Sequence, residues 1–157
     1  MKMILRGGAI MRASIDPRVA ERAALLRSHD EAFARWAAGY GPIRHSDLVQ
    51  VRVAEMVSLL AQRGQCGDGL PAYELLYAVD RITSAAMWLV VNQTYARNVY
   101  LDGRPLACED FKPSPDGHTG GSLNMVPAYA AYMAINALTG HTRAWVMGQG
   151  HAVSAID

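Results

Sequence analysis

The chain is poor in the features that mark several large protein classes. It has two cysteines in 157 residues, Cys66 and Cys108, too few for a disulfide-dense secreted scaffold. It has no apolar run near the ~20 residues that a membrane span requires. Neither charge sign dominates, because 15 Lys+Arg against 14 Asp+Glu leave a formal net charge of +1. Such a balance supplies no global field for nucleic acid or for an anionic membrane. The first eleven residues lack the apolar core of a signal peptide, so the expected location is the cytoplasm. Repeats and low-complexity tracts are absent, as are a P-loop, a nucleophile elbow and a metal-ligand spacing of cysteines or histidines. What remains is apolar: hydrophobic types make up 51% of the chain and charged types 18%. That composition excludes disorder, and the length suits one domain with a sizeable core.

The pattern predicts helices first. Residues 1–15 carry no pattern and read as a disordered N-terminus. Asp16-Pro17 predicts a helix start, with Leu26, His29, Phe33 and Trp36 on one face and Gly39 and Gly41-Pro42 as the stop. Ser46 predicts the cap of a second helix striped by Val49, Val53, Met56, Val57 and Leu60 and ended by Gly64. Pro71 predicts a third, with Leu75, Val79, Ile82, Ala86 and Leu89 inward, running to about Tyr100. Residues 16–103 thus form a helical N-terminal region. After it, Pro105, Pro113, Pro115 and Asp116-Gly117 punctuate a loop. His118-Thr119-Gly120-Gly121-Ser122 leads into an alanine-rich helix that stops at Gly140. The short apolar run Ala144-Trp145-Val146-Met147 reads as a buried strand. One strand cannot satisfy its own ladder groups. The expected fold is therefore α/β: a mostly helical fragment with about one core strand near 144–147, cut from a larger domain that begins in 104–157.

Five histidines are the candidates for chemistry. His29 and His45 lie on or beside amphipathic helices and read as surface or satisfied core residues, and His141 follows a helix stop. His118 and His151 differ, since each follows a glycine in a turn that leads to a helix. Free N–H groups at a helix start favour phosphate. Glycine permits close backbone approach, and imidazole transfers protons near neutral pH. The bland alternative is two ordinary turns. Gly67-Asp68-Gly69, with Asn92 and Asn98 downstream, contains the residue types of a thiamine-diphosphate cation site, but it follows a helix where that motif follows a buried strand. It reads as a solvated turn.

Several of these segments occur in an order that resembles the phosphoketolase family of thiamine-diphosphate enzymes. Tyr100-Leu101-Asp102-Gly103-Arg104-Pro105-Leu106, Glu109-Asp110-Phe111-Lys112-Pro113, Gly117-His118 and Leu123-Asn124 follow that family's order before and through its first active-site loop. Gly148-Gln149-Gly150-His151 is similar to its strand-end Gly-x-Gly-His turn, which transketolases share in another form. Residues 116–157, and more loosely 18–45 and 87–97, are closest to a branch named as xylulose 5-phosphate 3-epimerases. The resemblance implies the N-terminal part of a homodimeric lyase of carbohydrate metabolism, with thiamine diphosphate and Mg²⁺ between subunits. It would act on ketose phosphates such as xylulose 5-phosphate or fructose 6-phosphate. It implies that His118 is catalytic, at the sugar, and that His151 and Gly150 are cofactor-binding, at the diphosphate.

This chain departs from the phosphoketolase pattern in two places. Thr119 stands where the family's first loop has tryptophan, and Ala152-Val153 stand where its second has two glycines. An aromatic wall and some backbone freedom are missing, which sets phosphate-dependent cleavage against the epimerase alternative. In these families the cation motif and the glutamate that activates the cofactor lie beyond the region this chain resembles. The chain alone is therefore expected to be inactive. A competing expectation is a non-catalytic helical interaction module that buries its apolar stripes against a partner.

Overall fold

The computed structural model describes residues 17–66, 71–102, 104–146 and 148. Five α-helices follow in order: α1 (Pro17–His29), α2 (Glu31–Ala37), α3 (Asp47–Gln62), α4 (Ala72–Tyr95) and α5 (Thr119–Thr139), with a short 3₁₀ turn at Cys108–Asp110 before α5. Helix accounts for 67% of the described residues, and no strand forms among them.

This corrects the α/β expectation. Ala144, Trp145 and Val146 have no regular structure, and Met147 lies outside the described residues. The segment after Gly140 folds back onto the last turns of α5 instead of laddering. Tyr132 donates its hydroxyl to the Arg143 carbonyl, and Arg143 reaches Thr139 Oγ1 at 2.9 Å. The Trp145 ring packs on Tyr129 and Tyr132 at 5.4 and 5.1 Å, while Val146 is 90% exposed. An apolar run of four residues records that it has something to bury, not whether a ladder partner exists.

The first predicted helix is two. Asp30 leaves the helical region (φ −137°, ψ 112°), and its carboxylate accepts from Phe33 N at 2.9 Å, so it caps α2 directly after α1 ends. An aspartate satisfies an orphan N–H at this position better than it continues a helix. The break lets Phe33 and Trp36 turn inward. Phe33 is 1% exposed and meets Trp36 at 5.5 Å and Tyr73 at 5.0 Å, both edge-on. Ala37 and Ala54 complete this cluster, against which Leu26, Val53, Leu76 and Tyr77 pack. Around it α1 packs on α2 and α3, and α2 packs on α4. Three ion pairs, Arg22–Glu55, Arg27–Asp47 and Arg35–Glu74, cross these joints near the surface, where each contributes little.

Ser46 caps α3 as predicted, accepting from Val49 N, and Gly64 turns out of it at φ +63°. The predicted stripe of α3 holds in part: Val53 packs on the aromatic cluster and Val57 and Leu60 are half-buried, but the fully buried positions are Gln50, Val51 and Ala54, and Val49 and Met56 are exposed. Likewise Ile82 and Leu89 of α4 face outward, with Ile82 57% exposed. Helix α4 ends at Tyr95, short of Tyr100, because Ala96 turns extended and forms an isolated antiparallel bridge with Phe111. Helix α5 lies against α4 through Val126, Ala130, Ala134 and Leu138, all buried. Its alanines permit that approach, and Gly140 ends it at φ +64°.

The α1–α2 break is directly testable. Asp30→Ala removes the α2 cap and should cost about 1 kcal/mol, lowering the melting temperature by about 3 °C. Asp30→Asn should restore it. Equal melting of all three forms would show that Asp30 is not the cap.

Candidate functional site

The loop between α4 and α5 is held by its own polar contacts, and it delivers His118. Lys112 N donates to the Tyr95 carbonyl at 2.8 Å and Arg97 N to the Asp110 carbonyl at 2.8 Å, on either side of the Ala96–Phe111 bridge. Lys112 Nζ reaches the Gln93 carbonyl at 2.6 Å, near the end of α4. Asp110 gathers the outer part of the loop. It accepts from the Tyr100 hydroxyl at 2.7 Å and from Ala107 N at 2.9 Å, while the Arg104 guanidinium lies 3.5 Å over the Tyr100 ring. These two hydrogen bonds, with Arg104 nearby, hold the Asp110 carboxyl below the usual aspartate range.

His118 then occupies the N-cap position of α5. Its carbonyl accepts from Ser122 N at 3.0 Å, opening the helix, and its side chain makes no cap bond. Gly117 before it sits at φ +126°, where a side chain is strained, and its backbone lies against Thr94, whose Oγ1 is 3.8 Å from the site of an added Cβ. The imidazole is exposed at a cavity of about 240 Å³ shared by Val90, Gln93, Thr94, Asp116 and Ser122. Thr119 Oγ1 donates to Tyr95 Oη at 3.4 Å beside it. This arrangement can accept or donate a proton at the imidazole, and the first N–H groups of α5 suit an anionic oxygen. Asp116 at the rim places a negative charge opposite that preference. Gly120 and Gly121 are not demanded by space, since a Cβ at either would meet nothing closer than 4.0 Å.

His118 is therefore the one predicted site residue that the structure places. His151 and Gly150 lie outside the described residues, as do residues 67–70. His29 is exposed at the end of α1, with Nδ1 2.7 Å from the Leu25 carbonyl, and His141 is exposed after Gly140. His45 holds more than its sequence context suggests. Its Nε2 is 2.7 Å from Asp80 Oδ2, both side chains are nearly buried, and its ring stacks on Trp36 at 4.5 Å. The two residues stand 35 positions apart on different elements, beyond any spacing rule. The available signal was Asp80 itself, an acid between Leu76 and Thr83 on the inner face of α4.

No protein-family model matches the chain, and no curated protein or solved structure matches it either.

The loop carries a pH signature. A carboxyl whose folded pKa is depressed stabilises the fold fully above its unfolded value, near ~3.9, and that contribution disappears as pH falls through the lower folded value. Asp110→Asn should flatten the acid side of the stability–pH curve in that window and loosen residues 97–111 in hydrogen exchange. An acid limb identical to the wild type would remove Asp110 from this role.

Proposed function

We propose that this chain is the N-terminal part of a thiamine-diphosphate-dependent, phosphoketolase-like enzyme acting on ketose phosphates, with His118 facing the sugar. The observation that carries the reading is the position of His118. It is an exposed imidazole at the start of a 21-residue helix, behind a glycine with positive φ, at the mouth of a polar cavity. The resemblance of residues 100–124 and 148–151 to that family supplies the substrate class. In this reading His118 hydrogen-bonds a sugar hydroxyl or phosphate oxygen and moves a proton at Nδ1 or Nε2.

The described residues contain no group of three or more His, Cys, Asp or Glu able to hold a metal ion. They do not fit the cation that holds the cofactor's diphosphate, so the proposal gives them the sugar-facing side alone and routes no step through the cofactor. His151, Gly150 and the partner protomer of a homodimer stand as proposed contributors to the rest. Exposed Ile82, Trp88, Leu89 and Val91 along α4 support burial against a further body. The same exposure favours the second reading, a non-catalytic helical interaction module. Among the described residues no helix is long and apolar enough to cross a membrane.

The test uses the uninterrupted reading frame that contains these residues, purified with thiamine diphosphate and Mg²⁺ and supplied with xylulose 5-phosphate and phosphate. Acetyl phosphate release marks cleavage and C3 inversion marks epimerisation. Either turnover is the expected result, with His118→Ala slowing it about 100-fold or more. No turnover of either kind, or full turnover by the variant, would overturn the assignment.

A further inference from the structure

A gap in the packing lies away from His118. Helices α3 and α5 each rest mainly on other helices, and a cavity of about 340 Å³ remains between them over α4. Its α5 wall runs from Pro127 through Ala130, Ala131 and Ala134 to Ile135 and Leu138, and Val53 and Met56 face it from α3. Protein interiors normally close such space to the density of organic crystals. Here the space stays open at the surface, where Met56 and Ala131 are exposed, and three alanines occupy the middle of the α5 wall. The volume is roughly twice the ~150 Å³ of an apolar cavity that takes up benzene, and it falls at the lower end of the ~300–1,000 Å³ of ligand sites. The cavity begins at Pro127, nine residues past His118 and so about 13 Å along the helix axis.

One end of this apolar space is polar. His45 and Asp80 both line it, hydrogen-bonded at 2.7 Å, with side chains 12% and 10% exposed. Trp36, stacked on His45, lines it as well. A carboxylate has room for about four hydrogen bonds, yet His45 is the one hydrogen-bond partner of Asp80 among the described residues. Thr83 cannot assist, because its hydroxyl donates to the Val79 carbonyl at 2.7 Å. Asp80 thus lines the cavity with acceptor capacity beyond its bond to His45, open to an incoming donor.

We infer that this cavity is a binding site for a small, mainly apolar molecule carrying one N–H or O–H donor, an amine or an alcohol. Asp80 accepts from the donor, and the hydrocarbon part lies between α3 and the alanine wall of α5. The site uses none of the residues assigned to the ketose phosphate, and its apolar walls do not suit a sugar phosphate.

The experiment titrates the full chain with 2-phenylethylamine and, separately, 2-phenylethanol, following the Ala130 and Ala131 methyl and His45 ring signals by NMR. Saturable shifts with at least one probe are expected, and the tighter probe tells whether charge or the donor alone is recognised. Asp80→Asn should weaken binding tenfold or more. Ala131→Leu, placed at an exposed position, should fill the space and abolish the saturable shifts while the melting temperature is kept. The inference is overturned by the absence of saturable shifts with both probes, or by a folded Ala131→Leu that binds like wild type. It is equally overturned if sedimentation finds a dimer that Ala131→Leu dissociates, since a second copy of the chain would then occupy the cavity.

Discussion

The contact between α4 and α5 determines where everything after residue 95 sits. Helix α5 packs extensively on α4 through Val126, Ala130, Ala134 and Leu138. The alanines of this seam permit close approach to α4 while also bordering the unfilled space beside α3, and burial of Val126 and Leu138 together with dispersion holds the two helices. The seam also fixes the ends of the connecting loop. Lys112 binds the Gln93 carbonyl, Ala96 bridges Phe111, and Gly117 lies against Thr94, so the start of α5 is held beside the end of α4. His118 inherits its position from this arrangement and not from any cap bond of its own.

The other end of α4 carries a different kind of order. There Phe33, Trp36 and Tyr73 meet edge-on and stacked, joining α2 to α4. Burial pushes the Tyr73 hydroxyl pKa above the usual tyrosine range, with the Asp30 carboxylate adding to the effect. A helix of 24 residues spans about 36 Å, long enough to keep the aromatic cluster and the histidine cavity apart. Between them lie the space beside α3 and the His45–Asp80 pair. The molecule therefore has a dense aromatic end, a polar loop end and an incompletely filled middle.

Caps and stops were legible in the sequence because they act locally. Ser46, Gly64 and Gly140 each do what their residue type predicts within one turn. Asp30 was legible in the same terms, but the apolar spacing of Leu26, Phe33 and Trp36 suggested continuity across it. Faces were harder to read. Val49, Met56, Ile82 and Leu89 have helical periodicity, yet Ile82 and Leu89 face outward and Val49 and Met56 border the unfilled space beside α5, because periodicity records which face is apolar and not which face packs closely. The strand expectation at 144–147 failed for a related reason, since the half-buried Trp145 packs on Tyr129 and Tyr132 of α5 and no ladder forms among the described residues. Of the site, His118 was visible through its glycine turn and the helix it precedes. The His45–Asp80 pair was not, because only tertiary packing brings residues 35 apart into contact.

The central claim is that the α4–α5 seam seats the His118 turn on the last turns of α4. Nuclear Overhauser contacts between the Thr94 methyl group and the Gly117 α-protons report this directly. Clear cross-peaks, accompanied by helical chemical shifts through residue 95 and again from residue 119, are the outcome this arrangement requires. Missing cross-peaks with averaged, coil-like shifts across 112–122 would contradict it.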